Sequence, residues 1–127
     1  MTVYEVGLSK SVVAWHVMPD MAGPEGELHS HDYRLDVVVS RNALDERGMV
    51  CDLDLLEGAL EKIVGVVADQ NLEVIQPPDA GPVTVEVFAR WVHGELGSLL
   101  PINADLSVRV WESPLAFGGF AGPIKSS

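Results

Sequence analysis

Asp32-Tyr33-Arg34-Leu35-Asp36-Val37-Val38-Val39-Ser40 sets Tyr33, Leu35, Val37 and Val39 against Asp32, Arg34, Asp36 and Val38. Successive strand side chains point to opposite faces, so a β-strand from His31 to about Ser40 is expected, with one buried and one wetter face. Just before it stands Leu28-His29-Ser30-His31, which holds two of the four histidines. Residues i and i+2 of a strand share a face, so His29 and His31 would present two imidazoles side by side. Neutral imidazole ligates zinc, and two on one face make half of a tetrahedral site.

Upstream, Ser11-Val12-Val13-Ala14-Trp15-His16-Val17-Met18 is rich in β-branched and aromatic residues and reads as a second strand. His16 sits near its end, before the turn-forming stretch from Pro19 to Gly26. If the two strands form a hairpin, His16 comes opposite the His29/His31 pair. Three imidazoles with one open position is the pattern of a catalytic zinc. On spacing alone, the same residues read equally well as two surface histidines and one at a strand end.

The rest of the chain follows by periodicity. Thr2 to Met18 reads as one long strand or two short ones, with Gly7 as the expected bulge. Asp20 to Gly26 and Asn42 to Gly48 read as loops. Asp52 is the expected N-cap of a helix carrying Leu53, Leu56, Leu60, Ile63, Val64 and Val67, which fades at Asp69-Gln70-Asn71. After the breakers Gln76 to Pro82, Thr84 caps a second helix with Val85, Phe88, Ala89, Val92, Leu96 and Leu99 on its apolar side; Gly97 and Pro101 help to end it. Asp105 to Glu112 is a third alternating strand, and Ala116 to Phe120 a short fourth. The order strand-strand-helix-helix-strand-strand predicts an α+β fold: an antiparallel sheet with two helices on one face. Its exposed edges invite pairing with further copies.

At 127 residues the chain is expected to be a single domain spanning 1–127, with enough apolar content (47%) to build a core. The net charge of −11 speaks against nucleic acid or an anionic membrane as partner. No apolar run approaches the roughly 20 residues that span a bilayer. With no visible signal peptide and a lone cysteine, Cys51, the expected location is cytoplasmic.

Six stretches run in order through nearly the whole chain: Val12-Val13-Ala14-Trp15-His16, His29-Ser30-His31, Gly48-Met49-Val50-Cys51-Asp52, Asp69-Gln70-Asn71-Leu72, Thr84-Val85-Glu86 with Ala89-Arg90-Trp91-Val92, and Val108-Arg109-Val110-Trp111-Glu112-Ser113. Together they resemble the 6-pyruvoyl-tetrahydropterin synthase family, which includes the bacterial 6-carboxytetrahydropterin synthases. The resemblance implies the tunnelling fold, in which trimers close a β-barrel and two trimers commonly stack into a hexamer. It implies His16, His29 and His31 as ligands of zinc, and Glu112 as the anchor of a pterin. A carboxylate suits the paired N–H donors of an aminopyrimidinone edge as it suits a guanidinium fork.

The departures from the family pattern define the chemistry to expect. Where the family has its catalytic cysteine, four residues before the first histidine of His-x-His, this chain has Glu25. Gln70 follows Asp69 where the family has a histidine, and Ser30 replaces a glycine. A Cys-His-Asp relay therefore cannot operate. A family subgroup with glutamate at the cysteine position is associated with forming 6-hydroxymethyl-7,8-dihydropterin from dihydroneopterin triphosphate. The resemblance thus implies a zinc lyase acting on dihydroneopterin or its triphosphate. Glu25 is the expected general base, Asp69 the second catalytic carboxylate, and Glu27 a rival for the base. A pterin-binding homologue without chemistry and a 6-pyruvoyl or 6-carboxytetrahydropterin synthase are the alternatives. With eight Lys and Arg in all, an unphosphorylated pterin fits the acidic chain better than a triphosphate, although Lys10 and Arg34 could contribute across a subunit interface.

Overall fold

Alternation makes the two histidine-bearing segments strands, and the pairing of their backbones aligns the histidines. In a computed structural model describing residues 2–18, 21–77 and 79–124, strand β1 (Tyr4–His16) runs antiparallel to β2 (His29–Arg41). Pro19 and Asp20 of the expected turn, and Pro78 of the breaker loop, lie outside the described residues. The ladder is unbroken from Tyr4 opposite Arg41 to His16 opposite His29. β2 thus starts two residues before the expected His31, because His29 and Ser30 still find partners in His16 and Trp15.

The expected bulge at Gly7 does not form; Gly7 pairs in register with Val38. A Cβ at this position would sit 2.5 Å from the Val37 carbonyl oxygen, so close backbone approach is what requires glycine there.

Two helices follow. Helix α1 (Leu53–Val67) begins where the Asp52 carboxylate accepts from the Asp54 amide at 2.9 Å. Helix α2 (Val85–Leu99) begins where the Thr84 hydroxyl accepts from the Val87 amide at 3.2 Å. Between them Asn71 caps a single 3₁₀ turn, Leu72–Ile75. Strands β3 (Asp105–Ser113) and β4 (Ala116–Pro123) complete an antiparallel sheet in the order β1-β2-β3-β4. The fold is the expected α+β arrangement.

One face of the sheet forms the core with both helices. Tyr33, Leu35, Val37 and Val39 share one cluster with Val108 and Val110, with Leu56 and Leu60 of α1, and with Phe88 and Val92 of α2. Each such side chain, taken out of water, contributes about 1.5–3 kcal/mol. The histidines have the parity of this buried face, at its end, which places them where packing stops and solvent begins. On the opposite face Asp36 accepts from Ser9 Oγ at 2.5 Å and Trp111 Nε1 at 2.7 Å, and pairs with Arg34 at 3.2 Å. Next to His16 the outer edge of β1 is occupied by the segment after α1: Asp69 donates to the Val13 carbonyl, and Trp15 donates to the carbonyl of Gln70.

Candidate metal centre

His16 and His29 face each other across the β1–β2 ladder, and His31 lies two residues further along the same face. Their rings meet edge to face, with centroids 4.4 Å (His16–His29), 5.0 Å (His16–His31) and 4.9 Å (His29–His31) apart. The fourth member comes from the hairpin connection. Gly23-Pro24-Glu25-Gly26 forms a 3₁₀ turn, and the Met18 amide donates to the Glu25 carbonyl at 2.9 Å. A Cβ at Gly26 would overlap the Met21 carbonyl oxygen, so the turn closes only with glycine there. This places Glu25 Oε2 3.3 Å from His29 Nε2. One donor atom each from His16, Glu25, His29 and His31 lies within 4.8 Å of the others.

Backbone carbonyls set the tautomers. His16 Nδ1 donates to the Val83 carbonyl at 3.3 Å, and His29 Nδ1 donates to that of Glu27 at 2.7 Å. In the neutral rings this leaves Nε2 as a bare lone pair directed at the cluster, the usual outer arrangement of a metal-binding histidine. His16 Nε2 is buried and has no hydrogen-bond partner. A buried polar atom without a partner costs about 1–3 kcal/mol, and a metal ion at the centre of the cluster would satisfy it. Burial, reinforced by His29 and His31, holds the His16 pKa below its usual 6.5 against the opposing effects of the Val83 carbonyl and Glu25. His16 is therefore neutral, as a ligand must be.

The spacings suit zinc. Tetrahedral ligands at about 2.0–2.1 Å from the metal stand roughly 3.4 Å from one another. His29 Nε2 is 3.2 Å from His31 Nε2 and 3.3 Å from the Glu25 carboxylate. These two separations are those of a tetrahedral Zn²⁺ site, and all four donors lie within 4.8 Å of one another.

Behind the histidines, Tyr33 forms a wall, its ring 5.4 Å from His31 and 5.3 Å from Phe88. Burial, then the charges of Glu112 and Glu25, raises its phenol pKa, and it stays protonated. The register pairing Arg34 with Trp111 puts Glu112 opposite Tyr33, just beyond the paired residues. Asp69 lies at the end of α1, bound through its amide to β1, and is not part of the four-donor cluster. Glu27 contributes its carbonyl to His29, and its side chain is not in the cluster either. Beside His16 opens a cleft of about 690 Å³, lined among others by Asn71, Val74, Gln76, Pro82 and Val83. That is within the usual range for a small-molecule site. Glu112 does not line it. Cys51 is buried at the opening of α1, and burial pushes its thiol pKa up. The fourth histidine, His93, lies elsewhere, donating from Nε2 to the Gly122 carbonyl at 3.0 Å.

A family model described as 6-pyruvoyl tetrahydropterin synthase matches residues 5–121. No curated protein matches the chain. Among solved structures, the 6-pyruvoyl tetrahydropterin synthase of Plasmodium vivax is similar with a TM-score of 0.76 at 12% identity, over 98% of this chain and 100% of that one. The Caenorhabditis elegans 6-pyruvoyl tetrahydropterin synthase gives 0.71 at 19% identity, over 96% and 97%. A P. vivax variant in which a glutamate described as a catalytic residue is replaced by alanine gives 0.73 at 12% identity, over 98% and 100%.

Proposed function

The chain belongs to the 6-pyruvoyl tetrahydropterin synthase family, and on that premise we propose that it is a zinc-dependent lyase acting on the side chain of a 7,8-dihydropterin. The substrate is dihydroneopterin or its triphosphate, and the product 6-hydroxymethyl-7,8-dihydropterin. One observation carries the reading: a carboxylate, Glu25, stands beside the three imidazoles, 3.3 Å from His29. The P. vivax relative, with its glutamate described as catalytic, supports such a role on this fold.

His16, His29 and His31 would hold the metal. Zinc bound there would act as a Lewis acid, lowering the pKa of a side-chain hydroxyl. Glu25 takes the proton from the hydroxyl oxygen, the neighbouring carbon–carbon bond breaks, and its electron pair passes to the ring-bearing carbon, which is reprotonated. A two-carbon aldehyde leaves. Tyr33, protonated, walls the histidines, and Asp69 is a supporting carboxylate outside the cluster. Cys51, buried and with a raised thiol pKa, is unsuited to act as nucleophile. Lys10 is paired with Glu61 at 2.8 Å and Arg34 with Asp36 at 3.2 Å, so both cations are already engaged within the chain. This favours the unphosphorylated substrate.

Mass spectrometry of products from dihydroneopterin and from its triphosphate tests the reading. The expected product is 6-hydroxymethyl-dihydropterin, with little pyruvoyl or carboxy product. Tight binding of both without turnover would instead identify a pterin-binding protein without chemistry.

Glu112 is assigned to the pterin ring, through the charge-assisted hydrogen bonds a carboxylate accepts from paired N–H donors. Glu112→Gln replaces one acceptor with a donor and removes the charge, at a cost of roughly 1.5–3 kcal/mol. Neopterin affinity measured by calorimetry should fall accordingly, with zinc retained. Unchanged affinity would place the ring elsewhere.

The assembly proposed is a hexamer. Among the described residues, the outer edges of β4 and of β1 before Val13 pair with no strand, and such edges are satisfied by other copies. Light scattering that gave a monomer of 13.7 kDa would contradict this. Among the described residues, no helix is long and apolar enough to cross a membrane.

A further inference from the structure

The Glu25–His29 contact is too long for one role and the right length for another. A charge-assisted hydrogen bond between imidazolium and carboxylate draws the heavy atoms to about 2.7–2.9 Å, whereas Oε2 and Nε2 stand 3.3 Å apart. The His29 ring already donates from Nδ1 to the Glu27 carbonyl. Its Nε2 faces the Glu25 carboxylate on one side and His31 Nε2 at 3.2 Å on the other. A nitrogen that meets two such neighbours near the separation of tetrahedral ligands, roughly 3.4 Å, is placed as around a cation.

We propose that Glu25 is the fourth ligand of the metal in the substrate-free protein, closing a His₃Glu site that a substrate hydroxyl must open. This rests on the zinc reading above and adds to it a gate. The backbone at Glu25 is fixed by the Met18 amide and by the tight approach at Gly26. Its side chain, by contrast, is 52% exposed and can swing out without disturbing the core. The imidazoles have no such freedom: His16 is buried, and both His16 and His29 are held through Nδ1. The four donors thus divide into an anchored set and one mobile arm. Displacement of the arm would do two things at once. It opens a coordination position beside the cleft at His16, and it releases a carboxylate next to the incoming hydroxyl, where it can accept the proton. A ligand presenting a hydroxyl pair, which offers the metal two oxygens for one carboxylate, is the class best able to displace it.

The test uses the full chain loaded with zinc or Co²⁺, as parent, Glu25→Gln and Glu25→Ala. Zinc affinity, measured by competition with a chromophoric chelator, should fall about tenfold in Glu25→Ala, the share contributed by a fourth ligand bound nine-tenths of the time. Glu25→Gln, which keeps the shape of the turn, should fall in the same direction. Azide, followed by the visible spectrum of the Co²⁺ protein, should bind more tightly once the arm is gone. If the carboxylate holds the fourth position nine-tenths of the time, the gain is about tenfold. Unchanged zinc and azide affinities in both variants, with the parent fully loaded, would overturn the gate and leave Glu25 as an ion-pair partner only. Failure of the parent to hold metal would overturn the zinc reading and the gate together.

Discussion

Glu25→Ala should lower turnover of dihydroneopterin by about 10²–10⁴-fold at saturating zinc, the usual contribution of a positioned general base. Saturation matters, because the same substitution is expected to weaken the metal site. The argument begins with what is missing. No thiol is near the histidines, and Gln70 follows Asp69 where a proton-transferring imidazole would be needed. Among the described residues, Glu25 alone brings a carboxylate into the cluster. A carboxylate is a far weaker base than a thiolate, so the reaction within its reach is one whose proton comes from an already acidified hydroxyl. Cleavage of the side chain meets that condition. Unchanged activity in Glu25→Ala would move the base to Asp69, Glu27 or a water on the metal.

Much of this architecture was legible in the chain itself. Alternation in Asp32–Ser40 and 3.6-residue spacing in Leu53–Val67 and Val85–Leu99 predict the elements, and Asp52 and Thr84 mark the helix starts as capping side chains. The His16, His29 and His31 parity follows from strand geometry and needs only the hairpin to bring the three together. What escaped has a common physical origin. The start of β2 at His29 and the flat pairing of Gly7 are set by the partner strand, and single-strand periodicity carries no trace of the partner. The Gly23–Gly26 turn is built from residues that read as loop breakers, and its form depends on the Met21 carbonyl. The groups orienting His16 and His29 are main-chain carbonyls of Val83 and Glu27, and a carbonyl belongs to every residue type alike. Spacing also gives no reason to join Glu25 to the histidines; the family resemblance singled it out, and the folded hairpin brings it to His29. His93, by contrast, is a histidine used to tie α2 to β4.

The histidines are the foundation of the account, and replacing one should have the largest effect of all. His29 is the ring with most at stake. It is held by Glu27, and its Nε2 approaches both His31 and Glu25. His29→Ala removes one of three imidazole ligands and the partner of Glu25 together, while its part-exposed position at the strand end spares the core. Zinc binding and turnover should both collapse while the fold persists. The most direct measurement is the zinc content of parent and His29→Ala proteins, purified without added metal and analysed by plasma mass spectrometry alongside circular dichroism. The account predicts close to one zinc per chain in the parent and loss of most of it in His29→Ala, with unchanged secondary structure. Full zinc retention in that variant, or a parent without zinc, would contradict it.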